Sequence, residues 1–181
     1  TTKVPEFIDP FNGLADLSKK ILRTPTKPEN SFSDDPLRMM RAARFASQLD
    51  FEIAPEVLQA IKDMAGRISI ISAERIRDEF SKMLMSERPR VGISILVETG
   101  LADIVLPEIP KLKLEIDEHH HHKDVYEHSI TVLEQAIALE DRLGGPNLII
   151  RLAALLHDIG KPKTRALIAG GGVSFHHHKI V

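Results

Sequence analysis

Asp34-Asp35-Pro36-Leu37-Arg38-Met39-Met40-Arg41-Ala42-Ala43-Arg44-Phe45 opens as a helix start. Pro36 suits the first helical position, where its missing N–H costs nothing, and the Asp35 carboxylate can accept from the free amides that follow. Arg38, Arg41 and Arg44 then recur at every third residue. At 100° per residue each such step turns back about 60° and climbs about 4.5 Å, so the arginines form a slanting row, each in reach of the next. Leu37, Met40, Ala43 and Phe45 are expected to supply the buried face. A carboxylate beside three guanidiniums suits a nucleotide: Asp accepts from an exocyclic amine, and Arg offers a planar fork to ring acceptors or phosphates. The plain alternative is a capped helix with a basic outer face.

Two further stretches extend this reading, Ile8-Asp9-Pro10-Phe11-Asn12-Gly13-Leu14-Ala15-Asp16-Leu17 and Ser72-Ala73-Glu74-Arg75-Ile76-Arg77-Asp78-Glu79-Phe80. Together with residues 34–45, in this order and at these distances, the chain resembles the class II tRNA nucleotidyltransferases, the CCA-adding enzymes and their relatives the bacterial poly(A) polymerases. The central stretch is similar to that family's nucleotide-selecting motif. Residues 8–17 resemble its segment joining head to neck, and residues 72–80 its later Glu-Arg…Glu motif. The resemblance implies Asp35 and Arg38 as base readers, with Arg41 and Arg44 near the nucleotide or its phosphates. It implies that Glu74, Arg75 and Glu79 brace the reading helix. Read from the residues alone, those charges are a solvated face with ordinary i,i+4 pairs such as Arg75 with Glu79. Asp9 and Asp16 are open between a contact to the family's head and a turn former with a helix-start acid.

The 181 residues allow one domain or two small ones with a real core. A net charge of -2 advertises no general affinity for nucleic acid, so any RNA contact must come from local clustering of arginines. The chain has no cysteine, which excludes disulfides and thiolate metal sites and fits a cytoplasmic protein. No apolar run approaches the ~20 residues of a membrane span. With no Trp and one Tyr, a stacking platform of the single-strand-binding kind is disfavoured. The chain begins Thr-Thr and stops at Lys-Ile-Val, and it reads as a fragment. The resemblance places a catalytic head, with paired Mg²⁺-binding aspartates, upstream of Thr1. The adjacent Asp34 and Asp35 on a helix start do not replace that strand-borne pair.

Prolines 5, 10, 25 and 28 make residues 1 to about 31 read as mostly extended or turning. The central helix follows to about Leu49, then one from Ala54-Pro55 that Gly66 ends. The next is capped by Ser72 with Ile76, Phe80, Met83 and Leu84 on one face, and another runs from Pro89 to Glu98 with Gly100 as its stop. Residues 107 to about 122 read as a linker, with two prolines and then a polar run ending His119-His120-His121-His122. That internal run is neither a purification tag nor a convincing metal site, because adjacent side chains rarely converge on one ion.

Asp124 to about Leu143 is amphipathic, Gly144-Gly145-Pro146 ends it, and Asn147 caps the next helix. That helix, Leu148 to Ile159, is apolar nearly all round and is expected at the centre of its domain. It ends in His157-Asp158, a pair expensive to bury unless it binds something. His128, the run His157-Asp158-Ile159-Gly160-Lys161 and the histidines near 178 together resemble the metal-dependent phosphohydrolases named for their His-Asp (HD) doublet. The resemblance implies His128, His157, Asp158 and His178 as metal ligands, with His176 or His177 able to stand in for His178, which Lys179 follows where relatives carry Glu. Imidazole plus carboxylate suits Mn²⁺, Fe²⁺, Ni²⁺ or Zn²⁺ better than Mg²⁺, and such an ion would activate water against a phosphoester. The alternative is a degenerate scaffold with its histidines bonded internally.

The expected fold is all-α. Its expected parts are the end of the head and a linker (1–31), a helical neck that selects nucleotide and binds RNA (32–112), a linker (113–122) and a partial HD domain (123–181). The expected function is base selection and RNA binding within a CCA tRNA nucleotidyltransferase that adds CMP and AMP to tRNA 3′ ends. The expected partners are tRNA, ATP and CTP, with Mg²⁺ in the head and a divalent transition metal at the HD site. The chain alone is expected to polymerise nothing. A poly(A) polymerase of the same family, an HD phosphatase or cyclic phosphodiesterase, and an RNA-binding scaffold without activity are the alternatives.

Overall fold

The computed structural model describes residues 8–113 and 125–164, together with the backbone of 166–167 and 173–174. The architecture is all-α as expected, with two-residue strands only as fastenings. The chain runs α1 (Gly13–Ser18), β1 (Ile21–Leu22), α2 (Pro28–Asp34), α3 (Leu37–Leu49), β2 (Glu52–Ile53) and α4 (Pro55–Met64). A 3₁₀ segment (Ala65–Ile70) leads to α5 (Ala73–Leu84), α6 (Pro89–Glu98), α7 (Ala102–Val105) and α8 (Glu108–Lys111). Then come α9 (Val125–Ala138), a 3₁₀ turn (Glu140–Leu143), α10 (Leu148–Leu156), α11 (Lys161–Thr164) and the pair β3 (Ala166–Leu167) and β4 (Val173–Ser174).

Residues 8–31 are more helical than their prolines suggest. Pro28 sits in the first turn of α2, where proline is tolerated, and α2 carries Ser31 and Phe32 into the core. β1 pairs in parallel with β2, Ile21 opposite Glu52, which ties this segment to the far end of α3. The fourth helix ends at Met64, just before Gly66, and the chain continues as the tighter 3₁₀ segment to Ile70. Residues 107–112 are not linker either, since α8 buries Ile109, and Leu112 is buried and accepts from the Tyr126 N–H at 3.1 Å. The four-histidine run, Asp124 and Gly170–Gly172 lie outside the described residues.

α3 is the hub, packed chiefly against α5 and α6. Its buried residues are Leu37, Met39, Met40, Ala43, Ala46 and Ser47. Placed on a wheel with Leu37 at 0°, these occupy an arc from about 180° to 360°, whereas Phe45 falls near 80°, between Arg41 and Arg38. Phe45 is accordingly 37% exposed, and its expected place in the core is taken by Met39 and Ala46. Each fully buried Met or Leu here contributes roughly 1.5–3 kcal/mol.

α6 approaches α3 and α5 closely at Gly92, where an added Cβ would collide with Met83 of α5 and Ser47 of α3. Gly92→Ala is therefore expected to destabilise the protein by about 1–3 kcal/mol of overpacking, more than the ~1 kcal/mol that alanine's helix propensity returns. A denaturant midpoint equal to wild type would show that Met83 and Ser47 move aside freely.

α9 and α10 pack on one another, and Gly144 closes the turn between them at φ 91°, as the Gly-Gly-Pro signal implied. Asn147 caps α10 through bonds from the Ile149 and Ile150 amides at 2.9 and 3.2 Å. α10 is not the apolar centre expected. Ile149 is 77% exposed, and the buried residues are Leu155 and the one charged residue of the run, Arg151. Arg151 makes a two-pronged ion pair with buried Glu140 (2.7 and 2.6 Å) and donates to the carbonyls of Leu84 and Ser86 (2.7 and 2.6 Å), past the end of α5. A second clasp joins α6 to α9, where Arg90 meets Glu134 and Glu127. The α9–α10 pair is thus fastened to the helices around α3 by guanidinium groups as well as by apolar contact.

Candidate nucleotide-reading and metal sites

Asp35 has extended dihedrals (φ -145°, ψ 100°) and Pro36 is already helical, so Asp35 stands at the cap position. Its Oδ1 accepts from the Leu37 N–H at 3.2 Å, and its Oδ2 accepts from Arg75 at 3.0 Å. Arg38 reaches back to α2, donating to the Ser31 carbonyl and hydroxyl at 3.3 and 3.1 Å. Arg41 and Arg44 share Glu79, at 3.5 and 2.7 Å. Arg44 also donates to Gln48 at 2.7 Å and lies 4.2 Å over the Phe45 ring.

The residues of α5 therefore do not pair along their own helix as Arg75 with Glu79. Arg75 crosses to Asp35 and buried Glu79 crosses to two arginines of α3, which joins the start and the middle of α3 to a single neighbour. Glu74 is different. Its own N–H and the Ser72 hydroxyl hold its carboxyl below the usual range, and among the described ion pairs none joins it to α3.

The three arginines are not equivalent. The Arg44 side chain is 14% exposed, whereas Arg38 and Arg41 are 46% and 41% exposed. Those two line a groove of about 390 Å³ whose apolar residues include Leu22, Pro25, Phe32 and Val57. A largely apolar cleft that Arg23 lines as well, so that three guanidiniums edge it, can take a planar, anionic ligand. Asp9 behaves as a local cap: bonds from the Leu14 and Gly13 amides hold its carboxyl below the usual range, and Asp16 accepts from Arg23 at 3.0 Å.

α9 and the close of α10 bring His128, His157 and Asp158 together, with one ligand atom from each within 4.8 Å of the others. His157 Nε2 is 3.1 Å and His128 Nε2 3.8 Å from Asp158 Oδ2, and the two rings meet edge to face at 5.2 Å. His157 Nδ1 lies 2.9 Å from the Ala154 carbonyl, which fixes the ring and places the Nδ1 proton there. Nε2 then presents a lone pair toward a carboxylate oxygen, and two such acceptors tolerate one another only around a proton or a cation. Two imidazoles and a carboxylate fit the donor preference of a divalent transition metal. His178, with His176 and His177, lies outside the described residues.

Two features escaped the sequence reading. The Arg151–Glu140 pair spans 11 residues and the bond to the Leu84 carbonyl 67, and neither separation leaves a local pattern. Lys161 was visible within the HD run, but its place was not: its Nζ sits 2.5 Å from Asp158 Oδ2, and the i,i+3 spacing was the available signal.

The family described as "Probable RNA and SrmB- binding site of polymerase A" matches residues 50–112, and the HD domain family matches residues 125–181. The chain is 38% identical over 180 residues to the A-adding tRNA nucleotidyltransferase of Deinococcus radiodurans, covering 96% of this chain and 40% of that protein. It is 38% identical over 163 residues to the Multifunctional CCA protein of Shewanella frigidimarina, covering 86% and 37%. Among solved structures it is similar to the Bacillus stearothermophilus CCA-adding enzyme in complex with CTP (TM-score 0.55, 30% identity, 82% of this chain and 37% of that one). A CCA-adding enzyme with ATP shares the fold at TM-score 0.63 and 24% identity, over 83% of this chain and 33% of that one. The chain spans about two fifths of the length of the curated relatives it matches. The chain thus carries a region matching the RNA-binding family model and one matching the HD domain model, and along nearly its whole length it is similar to part of these CCA-adding and A-adding proteins.

Proposed function

We propose that this chain selects the incoming nucleotide and binds RNA for a tRNA nucleotidyltransferase that adds CMP and AMP to tRNA 3′ ends. The observation that carries the proposal is the start of α3, where Arg38 lines a largely apolar groove and bonds to Ser31 on its wall, while Asp35, bonded to Arg75, caps the same helix. A carboxylate with about four lone-pair sites keeps acceptor capacity after bonding Leu37 and Arg75. It can therefore take the exocyclic amine of cytosine or adenine and offers nothing to the carbonyl that guanine and uracil present. Arg38 supplies the complementary donors, Arg41 stands nearer the phosphates, and Arg44 with Glu79 holds the helix. The Mg²⁺-dependent transfer itself belongs to carboxylates of a separate head domain, tRNA, ATP and CTP are the partners, and the working compartment is the cytoplasm. We divide the chain at residues 31, 112 and 122, with the neck between the first two and the HD domain after the last.

The test is nucleotide incorporation by the full-length protein on a tRNA lacking its terminal CCA. Asp35→Ala is expected to lose roughly 10–100-fold of the preference for CTP and ATP over UTP and GTP, the worth of one good base contact. An unchanged preference would make Asp35 a helix cap and no more. The likeness to the Deinococcus radiodurans A-adding protein favours a second reading, addition of the last adenosine alone. A tRNA already ending in CC separates the two, and long adenylate tails on any RNA would mark a poly(A) polymerase.

The residues at the HD site fit a metal, which His128, His157 and Asp158 would hold with His178 as a further candidate, and a bound divalent ion there would activate water toward a phosphoester. The chain's own contribution is to orient His157 through the Ala154 carbonyl and to bury the Asp158 carboxylate.

A further inference from the structure

Asp158 is a buried carboxylate, its side chain 4% exposed, and its Oδ2 lies 3.1 Å from His157 Nε2 and 3.8 Å from His128 Nε2. Lys161 Nζ lies 2.5 Å from that same oxygen. A divalent ion bound by His128, His157 and Asp158 must coordinate this oxygen or its twin, within a cluster only 4.8 Å across. An ammonium and a dication are poor neighbours in so small a space, because like charges a few ångströms apart in a partly desolvated site repel strongly. Lys161 has the means to leave. It stands in the first turn of the four-residue α11, its side chain is 21% exposed, and its flexible stem carries a compact, strongly hydrated charge.

We infer that Lys161 is a built-in countercation of the HD site, seated on Asp158 and expelled when a divalent metal binds. The inference rests on the three-ligand metal site proposed above. In the metal-free protein Lys161 sets a positive charge against a buried carboxylate. On metal binding it swings toward solvent and leaves its ammonium at the mouth of the site, where it can meet an anionic phosphoryl group on the metal's open side. Lys161 thereby lowers metal affinity, and anion and metal binding support one another.

The experiment is Mn²⁺ titration of the metal-stripped, untagged protein, followed by the electron paramagnetic resonance of free Mn²⁺ and by thermal melting, with Lys161→Met, Lys161→Arg and His157→Ala alongside. Lys161→Met is expected to bind Mn²⁺ about tenfold more tightly than wild type, Lys161→Arg no more tightly than wild type, and His157→Ala hardly at all. In metal-free buffer Lys161→Met is expected to melt lower than wild type, since Asp158 loses its cation, and to gain more from added Mn²⁺. Equal Mn²⁺ affinity in wild type and Lys161→Met overturns the role of Lys161 while leaving the metal site standing. Absence of Mn²⁺ binding in every variant overturns both. Weaker binding by Lys161→Met that still folds would show that Lys161 supports the metal and does not compete with it.

Discussion

Arg151→Ala is expected to lower stability by about 3–5 kcal/mol, the cost of removing one partner from a buried ion pair. That is a large share of the 5–15 kcal/mol that holds a typical domain together. Both side chains of the Arg151–Glu140 pair are about 95% buried, at 4% and 5% exposure, so water cannot take over. The substitution strips the carboxylate of its two short bonds and leaves it the Asn147 N–H at 3.2 Å. It also orphans the Leu84 and Ser86 carbonyls that terminate α5. Replacing both partners at once, Arg151→Met with Glu140→Leu, is expected to recover much of the loss, because the penalty comes from the stranded charge. Urea midpoints decide the matter, and a single-variant loss below about 1 kcal/mol would place the pair in water. The same pair sets an acid limit. Arg151 holds the Glu140 carboxyl below its ordinary value, so its contribution is fully present above the unfolded carboxylate range near 4.3. It is lost as pH falls through the lower folded value. Wild-type stability should therefore drop in that window, and the double variant should lose less there.

This clamp shows where the sequence stops being legible. Helix starts could be read because they depend on neighbours: Asp35-Pro36, Ala54-Pro55, Arg88-Pro89 and Asn147 all open helices where local chemistry says they should. The HD doublet and His128 could be paired because together they resemble the motif of the His-Asp phosphohydrolases, and the structure brings the three side chains together. Burial along α10 could not. Eight apolar residues and one arginine suggest that the arginine points outward, yet Ile149 is exposed and Arg151 buried. The reason lies 67 residues away, in carbonyls left over at the end of α5. Phe45 differs: its hydrophobicity points inward, but its wheel angle among the arginines points outward, and the angle decides. Likewise Arg75 and Glu79 fit an i,i+4 pair in one dimension, and only the packing of α5 on α3 reveals the better partners.

Those partners underlie the second large effect. Glu79→Gln is expected to reduce kcat/KM of the full-length protein for its correct nucleotide by about 10–100-fold, the scale of a misplacement of about an ångström. Its expected cost in stability is roughly 1.5–3 kcal/mol for the charge-assisted bonds weakened. Glu79 is 5% exposed and sits between Arg41 and Arg44, so the neutral amide leaves two guanidiniums facing one another without their anion. It satisfies one of them at best. Arg44, mostly covered and stacked on Phe45, has little room to move, whereas Arg41 is free to drift into the groove it shares with Arg38. The base contact should survive better than the rate. Asp35 keeps its own anchors, the Leu37 N–H and Arg75, neither of which passes through Glu79. The expected signature is thus a fall in rate with the preference for CTP and ATP over GTP largely kept, the opposite of Asp35→Ala. A Glu79→Gln protein that loses the preference as fully as Asp35→Ala would show that α3 responds as one rigid unit, with selection depending on the whole helix and not on its first turn.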